Sequence, residues 1–296
     1  MKQWGAFWLL GLIWGSSFLW IRIAVQEIGP VTLVSLRLLF GVLGLAAVSL
    51  WVRPTLPRDG RTWALLALLG ITNTAIPFVL ISWGEIHIPS AWAAILNGTT
   101  PLFTIVIAHF FLHDDRITIM RLIGLAVGFV GVIALLSRDL GAALSASSLP
   151  AQGAVLLAAL FYAGSSVFAR SRFRGVAPVV HALLPLVAAD MVVWFLLPSV
   201  ESPVRLPVLP MTWIALAWLG LLGSCLAYLL YYYLIHAWGP TRATLVTYVF
   251  PPVGLVLGIL FLHEVADWRL LVGSGLIMGS IAIINLRASP SRRRLA

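Results

Sequence analysis

The sequence predicts an all-α polytopic membrane protein, with ten transmembrane helices arranged as two inverted five-helix repeats. Three observations lead there. Apolar stretches of about twenty residues recur along most of the chain, and each is long enough to cross a bilayer. Lys and Arg crowd into alternate loops, as the positive-inside rule requires of a multi-span protein. And the chain repeats its own pattern at a spacing of 150 residues.

The composition supports the class. The chain is 61% hydrophobic and only 10% charged, whereas soluble domains carry about 25% charged residues. A soluble globular protein is therefore excluded. Period-two alternation is not sustained anywhere, so a membrane β-barrel is excluded as well. The opening MKQWGAFWLLGLIWGSSFLW has the look of a signal peptide. Its apolar region is too long and no small-x-small cleavage site follows, so it is expected to be a retained first span.

Spans are expected at 4–25, 31–52, 62–83, 89–112, 117–137, 151–170, 178–197, 211–235, 240–262 and 267–286. Helix breakers separate them: Gly29-Pro30, RPTLPRDGR, Pro89, HDDRIT, RDLGAALSASSLP, Pro178, PSVESPVRLP, Gly239-Pro240 and HEVADW. With both termini placed in the cytoplasm, 14 Lys and Arg residues lie inside and only Arg22, Arg138, Arg205 and Arg269 lie outside. That asymmetry sets the orientation and a multi-pass inner-membrane location. Trp51, Trp63, Trp213, Trp238 and Trp268 fall near span ends, where interfacial anchors belong.

The repeat is read from matched positions. Pro101 and Pro251 are 150 apart, as are Gly70 and Gly220, Ala93 and Ala243, Leu112 and Leu262, and His113 and His263, with Asp114 opposite Glu264. The expected organisation is a first repeat at 1–140, a linker at 141–150, a second repeat at 151–287 and a basic cytoplasmic tail at 288–296. An odd number of spans per unit inverts the second unit, a plan that puts a binding site near the midplane between repeats. Pro101 and Pro251 should then meet at mid-membrane. Broken backbone is tolerated at that depth only if it is buried in protein or lines a cavity. The carbonyls the prolines free, near Asn97 and Thr247, are expected to need a hydrated cavity or a substrate as partner.

The sequence resembles the EamA-type branch of the drug/metabolite transporter superfamily. The resemblance rests on WGSSFLWIRIAV (14–25), Pro30 with SLRLLFG (35–41), TPLFTIVIAHFFLHDDRIT (100–118) and LIGLAVGFVGVIALL (122–136). In the second half it rests on FPPVGLVLGILFLHE (250–264) and LVGSGLIMGSIAIIN (271–285). It implies ten helices, inward termini, and a central cavity lined by spans 1, 3, 4, 6, 8 and 9. It also implies movement of small metabolites, often outward. The sequence departs from the family where a Gly-Glu usually ends span 4. Here the chain reads HDD, and either Asp114 or Asp115 stands in for that glutamate.

Midplane positions on those spans supply the candidate substrate-binding residues. They are Trp14 and Ser17; Asn73 and Thr74; Asn97, Thr100 and Pro101; Tyr162 and Ser166; Ser224 and Tyr228; and Thr247, Tyr248 and Pro251. Helix packing is the competing role for each. Aromatics with polar tips suit amphipathic solutes such as amino acids. Phosphorylated substrates fit poorly, because no Lys or paired Arg lies at that depth. Intramembrane charges are functional candidates by default. Asp190 is a proton-coupling candidate, set against a structural, hydrogen-bonded Asp. Arg37 is expected to snorkel outward or to bond carbonyls. Arg22 and Glu85 are expected at solvated outer helix ends rather than as gates. The pairs Gly11/Gly15, Gly124/Gly128 and Gly275/Gly279 read as close intramolecular helix packing, with a dimer face as the alternative.

No enzyme, metal site or cofactor is expected. The chain shows no nucleophile-base set or phosphate loop, His109, His181 and His236 lack ligand spacing, and Cys225 stands alone. Its arginines are spread over short loops, so nucleic acid is not an expected partner. The partners expected are a small-molecule substrate and the lipid bilayer, with a monomer preferred over a homodimer. The functional expectation is a secondary exporter of small neutral or zwitterionic metabolites such as amino acids. The alternatives are a proton-coupled exporter of organic cations and a non-transporting membrane scaffold.

Overall fold

The computed structural model describes residues 2–88, 90–112, 118–136, 148–173, 176–250, 252–253, 256–257 and 268–286. Among them every regular element is a helix. Helices α1 (Lys2–Ala24), α2 (Pro30–Val52) and α3 (Gly60–His87) come first. Then follow α4 (Ser90–Asn97), α5 (Thr100–Phe111), α6 (Ile119–Leu136), α7 (Leu149–Arg172) and α8 (Pro178–Val200). The last are α9 (Pro210–Trp238), the short α10 (Pro240–Thr244) with a 3₁₀ turn at Leu245–Val249, and α11 (Trp268–Leu286). Helices α1, α2, α3, α7, α8 and α9 are each long and apolar enough to cross a membrane; shorter apolar helices run over Thr100–Phe111, Ile119–Gly131 and Gly275–Ile284. The protein is a multi-pass membrane protein. Phe110, Phe111, Met191 and Phe195, all strongly exposed, belong to its lipid-facing surface.

The breakers act where local chemistry predicts. Pro30, Pro178 and Pro210 each sit in the first turn of their helix, where a missing N–H has no partner to lose. Asp59 caps α3 by accepting from the Thr62 N–H at 2.8 Å. Gly239, at φ 84°, ends α9, and Pro240 starts α10 at once. The span expected at 89–112 is not continuous. It breaks at Gly98–Thr99 between α4 and α5, so Pro101 opens a new helix rather than kinking an old one.

Helix pairs pack through small residues, since lipid supplies no hydrophobic drive between helices. Helix α6 lies along α11, with Gly124 against Ile284 and Gly131 against Leu276. On α1, Gly11 faces Val249 and Gly15 faces Val253. A side chain at Gly70 would run into the backbone of Pro185 on α8, and one at Gly220 into Phe40 on α2. The pair Gly275/Gly279 departs from the expected packing, because no described neighbour lies within 4 Å of either position. The packing face of α11 is carried instead by Ile277, Ser280, Ile281 and Ile284, all buried.

Both α3 and α9 contain a π-helical stretch, at Ile71–Ala75 and Trp218–Leu226. Each interrupts the regular i−4 ladder close to Gly70 or Gly220, and π-bulges of this kind recur at functional sites. Two loop glutamates also tie distant helices together. Glu201, after α8, accepts from the N–H groups of Val31 and Thr32 at 2.6 and 3.0 Å and from the Thr32 hydroxyl at 2.6 Å. Glu27, after α1, accepts from the N–H groups of Val208 and Leu209 and from the Thr212 hydroxyl. Each carboxylate thus caps the start of a helix about 170 to 180 residues away in sequence.

Candidate functional site

The helix packing leaves a central cavity between both halves of the chain. Helix α1 contributes Trp14, Ser17, Phe18 and Ile21, and α2 contributes Arg37. From α3 come Asn73, Phe78 and Ile81; from the α4–α5 break, Asn97 and Thr100; from α7, Tyr162. Tyr228 and Tyr231 of α9 and Thr244, Val246, Thr247 and Phe250 close the wall. An aromatic wall with a few polar groups is the chemistry usual for small-ligand sites.

The π turns shape the polar part of that wall. The Trp14 indole donates to the Gly223 carbonyl at 2.9 Å, inside the π stretch of α9. The Tyr228 hydroxyl donates to the Asn73 carbonyl at 3.2 Å, inside the π stretch of α3, and bonds the Thr74 hydroxyl at 3.0 Å. Asn73 donates from Nδ2 to the Tyr232 hydroxyl at 3.3 Å, and its buried Oδ1 has no partner among the described residues. Trp14 stands 5.1 Å from the Tyr231 ring and edge-on to Tyr228 at 6.0 Å. The result is a stack of aromatic faces with hydroxyl and amide tips.

Of the residues expected at the site, Trp14, Ser17, Asn73, Asn97, Thr100, Tyr162, Tyr228 and Thr247 line the cavity together. The other described ones stand outside its lining. Thr74 supports Tyr228, and Ser224 donates to Leu219 O at 3.0 Å while accepting from Arg37. Ser166 donates to Ala163 O, Tyr248 donates to Leu125 O on α6, and Pro101 is buried in the first turn of α5. Asp190, half-buried on α8, does not line the cavity; the Trp194 side chain one turn on holds its carboxyl. Pro251, Asp114, Asp115 and Glu264 lie outside the described residues, as do most of the linker and the basic tail.

A family model, the EamA-like transporter family, matches the chain at residues 3–137 and again at 150–286. The chain belongs to the EamA-like transporter family. The most similar relatives fit that placement. A protein of Streptantibioticus cattleyicolor, named as a probable terminal-alkyne amino-acid exporter, is 30% identical over 99% of this chain and 97% of its own. The uncharacterized inner membrane transporter YedA of Escherichia coli is 31% identical over 86% of this chain and 81% of its own. A solved crystal structure shares the fold, with a TM-score of 0.80 over 97% of this chain and 98% of that chain at 20% identity.

Three features of this EamA-like transporter depart from the sequence expectations. Arg37 neither snorkels outward nor bonds a carbonyl. It is 4% exposed, lies with its guanidinium carbon 3.7 Å over the Phe78 ring, and donates from Nε to Ser224 Oγ at 3.1 Å. Among the described residues it is the only charged side chain on the cavity wall. Glu85 is not at a solvated end. It is fully buried, both carboxyl oxygens lack a partner among the described residues, and Arg22 donates to its main-chain carbonyl. The carbonyls near the prolines are closed locally. The Thr100 hydroxyl donates to Asn97 O at 2.7 Å, and the Phe250 N–H donates to Thr247 O. Neither depends on a cavity or a substrate. Tyr231 and Thr244 also line the cavity, and the sequence signal for them was no stronger than for any apolar-face neighbour.

Proposed function

We propose that this chain is a secondary transporter that exports small, zwitterionic or neutral metabolites with an apolar body, such as amino acids. The observation that carries the reading is the central cavity, closed by side chains from both halves of the chain, with aromatic walls and a few uncharged hydrogen-bonding tips. The name borne by the Streptantibioticus relative points to the same substrate class. A cationic drug is the poorer fit, because the one charge on the described wall is a positive one.

In this reading ten spans form two inverted repeats, at 1–140 and 151–287, and alternating access is a rocking of one against the other. The packing supports it. Helix α1 lies on α9 while α7 lies on α3, α2 pairs with α8, and α6 pairs with α11, so each contact has a counterpart in the other half. Both termini then lie in the cytoplasm and the protein sits in the inner membrane. Pro101 and Pro251 act as pivots in that movement. The test is counterflow in proteoliposomes of labelled amino acids and of a lipophilic cation, with and without a pH gradient. Amino-acid counterflow is the expected result. Movement of the cation alone would replace the substrate class, and movement of neither would sink the transporter reading.

A further inference from the structure

We propose that Arg37, held in place by Ser224, is a carboxylate anchor, so that the solute carries a carboxylate at one end and an apolar body at the other. The proposal rests on the transport reading above and deepens it.

The first observation is a buried charge with no ion pair among the described residues. Arg37 is 4% exposed, yet its partners among the described residues are one hydroxyl and one aromatic face, both uncharged. A buried cation without a counter-ion is costly, and the structure around it must offer an anion or admit one. The acidic group that acts on it through space, Glu85, makes no hydrogen bond to it and has both oxygens unpartnered.

The second observation is direction. Arginine carries five N–H donors in a planar fork. Nε is taken by Ser224. The four N–H groups on the terminal nitrogens have no partner among the described residues, and the side chain lines the cavity. Ser224 is itself fixed, because its hydroxyl proton goes to Leu219 O across the π stretch. That bond leaves its lone pair to hold the guanidinium edge in one plane.

The third is space. Gly223 keeps the wall beside the guanidinium low: a Cβ there would come into van der Waals contact with Arg37 Nη2 at 3.6 Å and Ser17 Oγ at 3.4 Å. The Ser17 hydroxyl proton already goes to Ile13 O, so the donors that remain for a solute are those of the guanidinium fork, which suits a planar carboxylate. Beyond it stand Trp14, Tyr228, Phe78 and Phe250, which suit an aromatic or long apolar body. A phosphate dianion fits poorly, since a single guanidinium would leave net charge in an apolar wall.

The test is binding of labelled L-phenylalanine and of labelled hydrocinnamate to the purified full-length chain, with phenylalaninamide as competitor. Hydrocinnamate keeps the carboxylate without the amine; the amide keeps the amine without the carboxylate. Both acids should bind, and the amide should compete at least about ten-fold less well, the loss of a charge-assisted hydrogen bond. Arg37→Gln should weaken binding of both acids by at least about ten-fold, with Arg37→Lys recovering part of it. Competition by the amide equal to that by hydrocinnamate would overturn the anchor, and so would unchanged acid binding in Arg37→Gln. The comparison of acid with amide needs no variant, so a folding defect in Arg37→Gln cannot hide the answer. Binding of hydrocinnamate without L-phenylalanine would sink the amino-acid reading and leave the anchor standing. Binding of none of the three would overturn both.

Discussion

Arg37 and Glu85 show how burial reverses a reading made from position alone. Each lies within a turn or two of a helix end by count, where a charged side chain would ordinarily reach water. In the fold, Arg37 is walled in by Phe78 and Ser224. Glu85 is covered where the end of α1 and the start of α7 meet α3. A fully buried carboxyl with no hydrogen-bond partner is costly to keep charged, even with Arg22 and Arg37 acting on it through space. Glu85→Gln, a neutral group of the same shape, is therefore expected to keep or raise the thermal midpoint in detergent. A fall equivalent to more than about 2 kcal/mol would mean that the carboxyl holds the fold together through an acceptor bond.

The helix starts of α2 and α9 carry the next lesson. Proline at the first turn was readable from the sequence, but the capping groups were not, because Glu27 and Glu201 reach them from the far half of the chain. Glu201→Ala removes three hydrogen bonds to α2 and is expected to cost about 1–3 kcal/mol in thermal or denaturant unfolding. Glu27 is a pH-dependent cap. The Thr212 hydroxyl, followed by the Val208 and Leu209 N–H groups, holds its carboxyl below the ordinary value of 4.5, against some desolvation. A carboxyl depressed in the folded state stabilises above its unfolded pKa and loses that contribution as pH falls through the folded value. The thermal midpoint should therefore drop on acidification below about pH 4.5, and Glu27→Gln should flatten the drop. At the α4–α5 break, Pro101 occupies the first turn of α5 and Thr100 already closes Asn97 O. Pro101→Ala should then unfold within about 1 kcal/mol of the parent. Counterflow should slow, because alanine lets α4 and α5 fuse across Gly98–Thr99. Unchanged counterflow would leave the proline as no more than a helix start.

For the molecule as a whole, the proposed topology has a direct reporter. A C-terminal alkaline phosphatase fusion is expected to be inactive, since that enzyme needs the periplasm to fold; an active fusion would reverse the orientation and the inverted-repeat plan with it. The spans themselves came from length and composition, and at Pro30–Val52, Pro178–Val200 and Trp268–Leu286 the observed helix ends fall within a few residues of the expected ones. Apolar length, proline and glycine act through the local chain, so the sequence by itself determined the membrane class, the family and the ends of the unbroken spans, but not the breaks within 89–112 and 240–262. It also placed eight cavity residues, because midplane height follows from counting along a helix. What the chain order could not supply was azimuth and company. The π stretches in α3 and α9 shift which side chains face inward, by an amount no 3.6-residue pattern predicts. The break between α4 and α5 does the same for Asn97 and Thr100. Only the tertiary structure decided that Arg37 faces the cavity, that Ser224 holds it there, and that Glu85 is buried, because each depends on which helix faces meet.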